Sequence, residues 1–147
     1  MAEEWLKSND LAVAVFAGAF LFLLMKMLPR LIAGVPFAKP RDLKARLDSK
    51  DDLLVVDVRN PDEFTGDMGH IPGSLNLPLP NLAGKLDDLR ASVAGFADTP
   101  VYVVCRTANR AASAAKQLKK AGLTDIRVLD GGMVRWKREG LPTTRAR

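Results

Sequence analysis

Residues 101–122 have the sequence VYVVCRTANRAASAAKQLKKAG, which predicts a strand, a short loop and a helix in succession. The first four residues form a continuous apolar run, as in strands that are buried on both faces. Cys105 follows at once, a polar turn comes next, and an alanine-rich stretch ends at Gly122, a residue type common just after helices. The unit therefore indicates an α/β fold with a cysteine at the carboxyl end of a buried strand.

The segments on either side of this unit continue the alternation of element types. The predicted elements are a helix over 41–47, a strand over 53–58, a helical turn after Pro61, a strand over 74–77, a helix over 81–91, a strand over 101–104, a helix over 109–121, a strand over 126–129 and a helix over 132–139. Such alternation is typical of a mostly parallel sheet with helices on both faces. We therefore expect a three-layer α/β/α domain at residues 40–147, with its ligand at the carboxyl ends of the strands.

A long apolar run precedes this domain. Fourteen of the fifteen residues from Leu11 to Met25 are apolar, and the other is Gly18. At about 1.5 Å per residue, a helix over 11–28 would cover about 27 Å of a hydrocarbon core about 30 Å thick. We therefore predict a transmembrane helix at 11–28, a short N-terminal flank at 1–10 and a spacer containing proline and glycine at 29–39.

Charged residues around the run bear on its role and its orientation. A cleavable signal peptide is the competing interpretation, but it needs a basic N-terminal region, and Glu3, Glu4 and Asp10 make this flank acidic. The basic residues follow the run: Lys26, Arg30, Lys39 and Arg41. Because cytoplasmic flanks carry an excess of Lys and Arg, we expect an uncleaved, single-pass anchor whose main domain faces the cytoplasm.

The cysteine count and the net charge exclude several classes of protein. The 147 residues contain one Cys and one His, which excludes an intramolecular disulfide and a zinc finger, and we predict no metal site. The formal net charge is +5, but no nucleic-acid motif and no basic stripe with interleaved aromatics accompanies it. The expected partner of this charge is the anionic surface of a lipid bilayer, and no nucleic acid is expected.

The position of Cys105 predicts a reactive thiol. A cysteine between a strand and a helix lies near the unpaired N–H groups and the positive dipole end of that helix. Arg106 and Arg110 add positive charge nearby in sequence. We therefore expect the pKa of Cys105 to be lowered from about 8.5 toward neutrality, which would make the thiolate a nucleophile for an anionic electrophile.

The spacing between Cys105 and Arg110 bears on the choice of electrophile. Cysteine phosphatases and the related arsenate reductases place five residues between Cys and Arg, and that longer loop holds a tetrahedral oxyanion. Here four residues separate Cys105 from Arg110. The smaller loop favours attack on a sulfur atom and disfavours phosphatase or arsenate reductase activity.

Three stretches of the chain carry recognisable motifs. They are Val55-Val56-Asp57-Val58-Arg59 with Pro61, Glu63, Phe64 and the run GHIPGSLN at 69–76; the loop from Cys105 to Arg110; and LDGG at 129–132 with Trp136 and GLP at 140–142. In this order and spacing they resemble the rhodanese family of sulfurtransferases, and the resemblance covers nearly all of residues 40–142. With its apolar N-terminal run, the chain is similar to single-domain rhodanese-like proteins that bacteria tether to the inner membrane.

The resemblance implies a thiosulfate sulfurtransferase that works through a persulfide and needs no cofactor. Cys105 would be the catalytic residue, taking sulfur from thiosulfate or another small anionic donor and passing it to a thiol or cyanide. The loop would bind the donor through Arg106, Thr107, Ala108, Asn109 and Arg110. A non-catalytic rhodanese-like docking module at the membrane is the alternative. It is left open by Ala108, since many family members have Gly at that position.

Other polar residues near these motifs have structural interpretations. We expect Asp57 to hold loop amides or an arginine, and Arg59 and Glu63 to be members of ion pairs near the site. His70 is interpreted as a structural residue of its turn rather than as a base for Cys105. Its distance from Cys105 in sequence and the absence of any need for a base favour that interpretation.

Overall fold

The computed structural model describes residues 2–85, 87–88 and 97–147. Its helices are α1 (Ala2–Ala33), α2 (Pro40–Asp48), α3 (Pro61–Phe64), α4 (Leu79–Leu82), α5 (Asn109–Lys120) and α6 (Gly132–Arg138), with a 3₁₀ turn at Ala83–Lys85. Its strands are β1 (Phe37–Ala38), β2 (Leu54–Asp57), β3 (Leu75–Asn76), β4 (Val101–Val104) and β5 (Ile126–Leu129). The predicted alternation of helices and strands is confirmed.

Within the described residues, the strands form one parallel sheet in the order β1-β5-β4-β2-β3. The central strand is β4, where Val103 pairs with Val56 of β2 on one side and with Val128 of β5 on the other. All four residues of β4 are buried. A strand with neighbours on both edges and helices on both faces has no side exposed to water, which explains its unbroken apolar sequence.

Helices cover both faces of this sheet. On one face, α1, α4 and α5 bury Ala33, Leu82 and the alanines of α5 against side chains of β2, β4 and β5. On the other face, α2 and α6 bury Leu43 and Trp136. The indole Nε1 of Trp136 donates a hydrogen bond of 2.9 Å to the carbonyl of Pro142, so the buried ring has its polar group paired. The three-layer α/β/α architecture is thereby confirmed.

The apolar N-terminal run lies in α1. Within this helix, the segment Asp10–Ala33 contains an 18-residue window with a mean hydropathy of 2.4, and the segment is long and apolar enough to cross a membrane. The exposed large side chains of the helix include Phe16, Phe20 and Met25. Such a surface is unfavourable in water, so it needs a covering of lipid or of protein.

The region at 29–39 differs from the expected spacer. The helix continues through Pro29 to Ala33, because the last turn packs against α5 and buries Ala33 in the core, which offsets the backbone hydrogen bond that proline cannot donate. Phe37 and Ala38 then pair with Val128 and Leu129 as the edge strand β1. This strand was not predicted, because two residues between prolines carry no periodic signal.

The expected helix at 81–91 begins differently in the structure. Helix α4 starts at Leu79 and passes into the 3₁₀ turn that ends at Lys85. Residues 86 and 89–91 of the expected helix lie outside the described residues. The described part of this segment buries Leu82 against the sheet face that also holds α5.

Candidate active site

The candidate site is the loop between β4 and α5. Cys105 is the first residue after β4, as predicted, and only 1% of its surface is exposed. The N-cap residue of α5 is Ala108, which has no side-chain oxygen to bond the first amides of the helix. Backbone N–H groups of Thr107, Arg110 and Ala111 instead donate hydrogen bonds to the Cys105 sulfur. The loop therefore holds the sulfur in a ring of amides.

The backbone at Ala108 has φ −157° and ψ −17°. Glycine is needed where φ is positive, and this residue does not have a positive φ. Alanine therefore fits the loop without the backbone strain that a left-handed conformation would impose. This departure from the family pattern therefore carries no left-handed backbone penalty at that position.

The electrostatic environment of Cys105 differs from the expectation. Burial raises the pKa of the Cys105 thiol above its ordinary value and outweighs the backbone hydrogen bonds and the Arg110 charge, which lower it. The prediction that the pKa would be lowered toward neutrality is therefore wrong. The prediction considered only the amides and arginines that are close to Cys105 in sequence. It omitted the desolvation of the sulfur, which depends on the tertiary packing around the loop.

Arg110, which closes the loop, is engaged by Glu63 of α3. Its Nη1 and Nη2 donate hydrogen bonds of 2.6 and 2.7 Å to the two carboxylate oxygens. This bidentate contact lowers the pKa of Glu63 to about 2, and the backbone N–H of Asn60 contributes in the same direction. The same contact raises the pKa of Arg110. Much of the Arg110 charge is thereby compensated before it acts on Cys105.

Asp57 and Arg59 form a buried pair at the carboxyl end of β2. Arg59 Nη2 donates to Asp57 Oδ2 at 2.7 Å, and the Nε and backbone N–H of Arg59 also donate to the same carboxylate. The guanidinium further donates to the carbonyls of Gly69 and Glu63 at 2.7 and 3.2 Å. The pair thus connects the end of β2 to α3 and to the turn that follows it.

Other loop residues line two cavities, one bordered by α3 and the other by α1, the helix expected to be the membrane anchor. The α3-side cavity, of about 310 Å³, is lined by Arg106 together with Arg59 and Glu63. The anchor-side cavity, of about 630 Å³, is lined by Thr107, Ala108 and Asn109 together with residues of α1 and α6. Of the five residues predicted to bind substrate, Arg106 therefore lines one cavity, Thr107, Ala108 and Asn109 line the other, and Arg110 lines neither of the two.

Gly131 and Gly132 contribute to the site in a way that the sequence motif did not reveal. A Cβ on Gly132, which has φ +55°, would lie 2.3 Å from the Thr107 carbonyl oxygen and 2.5 Å from that of Cys105. The N–H of Met133 donates to the Cys105 carbonyl at 2.9 Å. The start of α6 therefore packs directly on the loop from Cys105 to Arg110, and only glycine fits there. The pair of consecutive glycines at 131–132 was the sequence feature that could have indicated this close contact.

The end of α1 also reaches the site, and sequence reasoning assigned its basic residues to topology alone. Lys26, Pro29 and Arg30 line the anchor-side cavity. Arg30 Nη2 lies 3.3 Å from Asp130 Oδ1, across 100 residues of sequence. The position of these residues depends on how α1 packs on the domain, and no local sequence pattern predicts this packing.

His70 is buried in its turn. Its Nδ1 lies 2.7 Å from the Phe64 carbonyl oxygen, and its ring stacks on that of Phe64 with the centroids 3.5 Å apart. These contacts agree with the interpretation of His70 as a structural residue. In the part of the chain that the structure describes, no three His, Cys, Asp or Glu side chains come together to hold a metal ion.

Comparison with known proteins agrees with this fold and loop. The family model of the rhodanese-like domain matches residues 39–139. The chain is 32% identical over 100 residues to a sulfurtransferase from Allochromatium vinosum, covering 68% of this chain and 86% of that protein. It is 36% identical over 108 residues to the uncharacterized protein slr1261 of Synechocystis, covering 74% of this chain and 55% of the relative. The chain thus spans little more than half the length of that relative.

A solved structure gives the same result. The thiosulfate sulfurtransferase from Pseudomonas aeruginosa superposes with a TM-score of 0.66 at 25% identity, covering 81% of this chain and 22% of that one. The parallel sheet, the loop after its central strand and the sequence matches all indicate the same family. The chain therefore belongs to the rhodanese-like domain family, and its homologues include sulfurtransferases.

Proposed function

We propose that the chain is a membrane-anchored sulfurtransferase that carries sulfane sulfur as a persulfide on Cys105. The observation that carries this proposal is the ring of backbone N–H groups from Thr107, Arg110 and Ala111 around the sulfur. Fixed amide dipoles stabilise negative charge on a thiolate and on a persulfide, and they need no reorganisation during the reaction. The family's sulfurtransferase members support the same chemistry.

The first half of the cycle transfers sulfur to the enzyme. The Cys105 thiol loses its proton to solvent, and the thiolate attacks the outer sulfur of thiosulfate. A new S–S bond to Cys105 forms as the S–S bond of thiosulfate breaks, and its electron pair leaves with sulfite. Arg106, an exposed residue of the loop, attracts the anionic donor, while Arg110 keeps the loop closed through Glu63.

The second half returns the enzyme to its starting state. A thiolate or cyanide attacks the outer sulfur of the persulfide, and Cys105 leaves as the thiolate. Because the chain has a single cysteine, no second thiol within it can resolve the persulfide. The sulfur must therefore leave to an external acceptor.

The burial of Cys105 favours one second candidate, a non-catalytic rhodanese-like docking module at the membrane. A buried thiol with a raised pKa has a small thiolate fraction at neutral pH, and that limits its reactivity. In that case the loop would keep its shape while the sulfur remains inert. The two candidates differ in whether Cys105 gains a sulfur atom.

Intact mass spectrometry of the full chain after incubation with thiosulfate tests the enzymatic proposal. We expect a mass gain of one sulfur atom with release of sulfite, followed by thiocyanate formation on addition of cyanide. Cys105→Ser should show none of these. The enzymatic proposal fails if the wild-type chain gains no mass, or if the serine variant gains as much.

The anchor is proposed at residues 11–28, with the domain on the cytoplasmic side of a bacterial inner membrane. The apolar surface of α1 and the basic residues that follow it support this topology. Added protease should cut the domain in inside-out vesicles and leave it intact in spheroplasts. Cleavage in spheroplasts alone would overturn the orientation.

A further inference from the structure

The anchor-side cavity joins the reactive loop to the end of the membrane helix. Its wall combines Lys26, Pro29 and Arg30 of α1 with Thr107 and Asn109 of the loop. At about 630 Å³ it lies in the range of small-molecule sites, and thiosulfate would fill only a small part of it. The cavity therefore suits a larger reactant than the donor of the proposed cycle.

The charge of this cavity is positive. Its lining contains four basic side chains and two carboxylates, namely Lys26, Arg30, Arg135, Arg138, Asp130 and Glu139. Arg30 and Arg135 contact Asp130, and Arg135 also contacts Glu139. Among the described residues, Lys26 and Arg138 have no carboxylate partner. Two cations thus remain available to an anionic ligand.

An apolar groove of about 200 Å³ adjoins the cavity. It lies between α1 and the start of α5, and it is lined by Met25, Leu28, Pro29, Ile32, Asn109 and Ser113. Pro29 and Asn109 line both spaces, so the groove and the cavity share a border. A cationic compartment next to an apolar one matches a molecule with an anionic group and a hydrocarbon chain.

We infer that this composite space is the acceptor site, and that the acceptor is an anionic thiol carrying an apolar chain. This inference rests on the proposed function, because it names the molecule that takes the persulfide sulfur. With α1 in a bilayer, the groove beside Leu28 and Ile32 would lie near the membrane surface, where amphiphiles concentrate. The anionic group contacts Lys26 and Arg138, and the chain lies along the groove.

This space borders, at Thr107, the loop that holds the reacting sulfur. This residue lines the cavity, and its backbone N–H donates a hydrogen bond to the Cys105 sulfur. The acceptor thiolate attacks the outer persulfide sulfur, a new S–S bond forms on the acceptor, and the bond to Cys105 breaks. Cys105 keeps the electron pair as a thiolate, so no other oxidant or reductant is needed.

The test uses the full chain in phosphatidylcholine nanodiscs, loaded with thiosulfate to the persulfide, and measures kcat/KM for four synthetic thiols. They are 11-mercaptoundecanesulfonate, 11-mercaptoundecanol, 2-mercaptoethanesulfonate and 2-mercaptoethanol, which vary charge and chain length separately. Comparing each variant with wild type in identical nanodiscs cancels the partitioning of the long thiols into lipid.

Removing the unpaired cations tests the anionic compartment. Lys26→Gln combined with Arg138→Gln should lower kcat/KM for the long sulfonate by about fivefold and for the long alcohol by less than about twofold. Lys116→Gln, on an exposed position of α5, is the matched control and should change neither value. Equal losses for the sulfonate and the alcohol, or no loss for either, would overturn the inference.

Shortening a groove side chain tests the apolar compartment. Ile32→Ala should lower kcat/KM for the long sulfonate by about threefold and leave the short sulfonate unchanged. Leu31→Ala, at a more exposed position of the same helix, is its control. A loss that is the same for the long and short thiols contradicts the assignment. Persulfide formation is read separately by mass, so its absence would refute the proposed function instead.

Discussion

Two arginine–carboxylate pairs lie at the candidate site, and they differ in their exposure to water. The Arg59–Asp57 pair has side chains that are 2% and 1% exposed, whereas those of the Arg110–Glu63 pair are 35% and 33% exposed. Both pairs are closely bonded, at 2.7 and 2.6 Å for the shortest contacts. The comparison therefore separates the effect of burial from that of distance.

Because the two pairs differ in burial, they have different roles. Arg59 also satisfies the carbonyls of Gly69 and Glu63, so its removal would leave buried acceptors and a buried carboxylate without partners. Arg110 lies close enough to Cys105 to act on the charge of the sulfur, and water screens part of its pairing with Glu63. The buried pair stabilises the fold, and the partly exposed pair modulates the electrostatic environment of Cys105.

The largest effect is expected from breaking the buried pair. Arg59→Met should lower the free energy of unfolding by about 3–5 kcal/mol, because Asp57 would remain buried without its partner. Urea unfolding of the full chain in detergent micelles, followed by the fluorescence of Trp136 in a Trp5→Phe background, measures this change. Replacing both residues, with Asp57→Leu and Arg59→Met, should cost clearly less than the single change. An equal cost would show that lost packing dominates over the unpaired charge.

The second effect concerns the reactivity of the sulfur. Glu63→Gln leaves the Arg110 charge uncompensated, which should lower the pKa of Cys105 and raise its alkylation rate by iodoacetamide at pH 7 by about threefold. Arg110→Gln should act in the opposite direction, because it removes the cation and leaves the carboxylate near the sulfur. Faster alkylation in both variants would mean that loop opening, and not charge, controls the rate.

The third effect is the pH dependence of stability due to Glu63. Its pKa falls from 4.5 to about 2 in the folded chain, so the pair stabilises fully above pH 4.5 and loses this contribution as the pH falls toward 2. Allowing for partial exposure, the contribution is about 1 kcal/mol. The difference in unfolding free energy between wild type and Glu63→Gln should shrink over this window. A difference that is constant from pH 6 to pH 2.5 would contradict it.

Much of the fold follows from local patterns in the sequence. The apolar runs at 54–57 and 101–104 indicate strands covered on both faces, and the position of Cys105 after the second run places it at the carboxyl edge of the sheet. The edge strand at Phe37–Ala38 had no such signal. It exists because the chain between α1 and α2 runs beside β5, where the N–H groups of Val128 and Asp130 donate hydrogen bonds to the carbonyls of Pro36 and Ala38.

The candidate site also contains some features that local sequence patterns predict and others that they do not. Its candidate nucleophile, Cys105, and its loop could be proposed from the spacing of Cys105 and Arg110, because a loop closed by nearby residues is a local feature. The pairing of Glu63 with Arg110 joins residues 47 positions apart, and the contact of Arg30 with Asp130 joins residues 100 apart. No local pattern encodes either contact.

The sequence by itself determined the apolar N-terminal helix, the alternation of strands and helices, and the strand–loop–helix unit around Cys105. These features depend on periodicity and on the chemistry of neighbouring residues. Tertiary structure alone decided the raised pKa of Cys105, the compensation of Arg110 by Glu63 and the entry of α1 into the wall of the site. Burial and pairing arise only when distant segments pack together, because desolvation and charge interactions depend on distance in space.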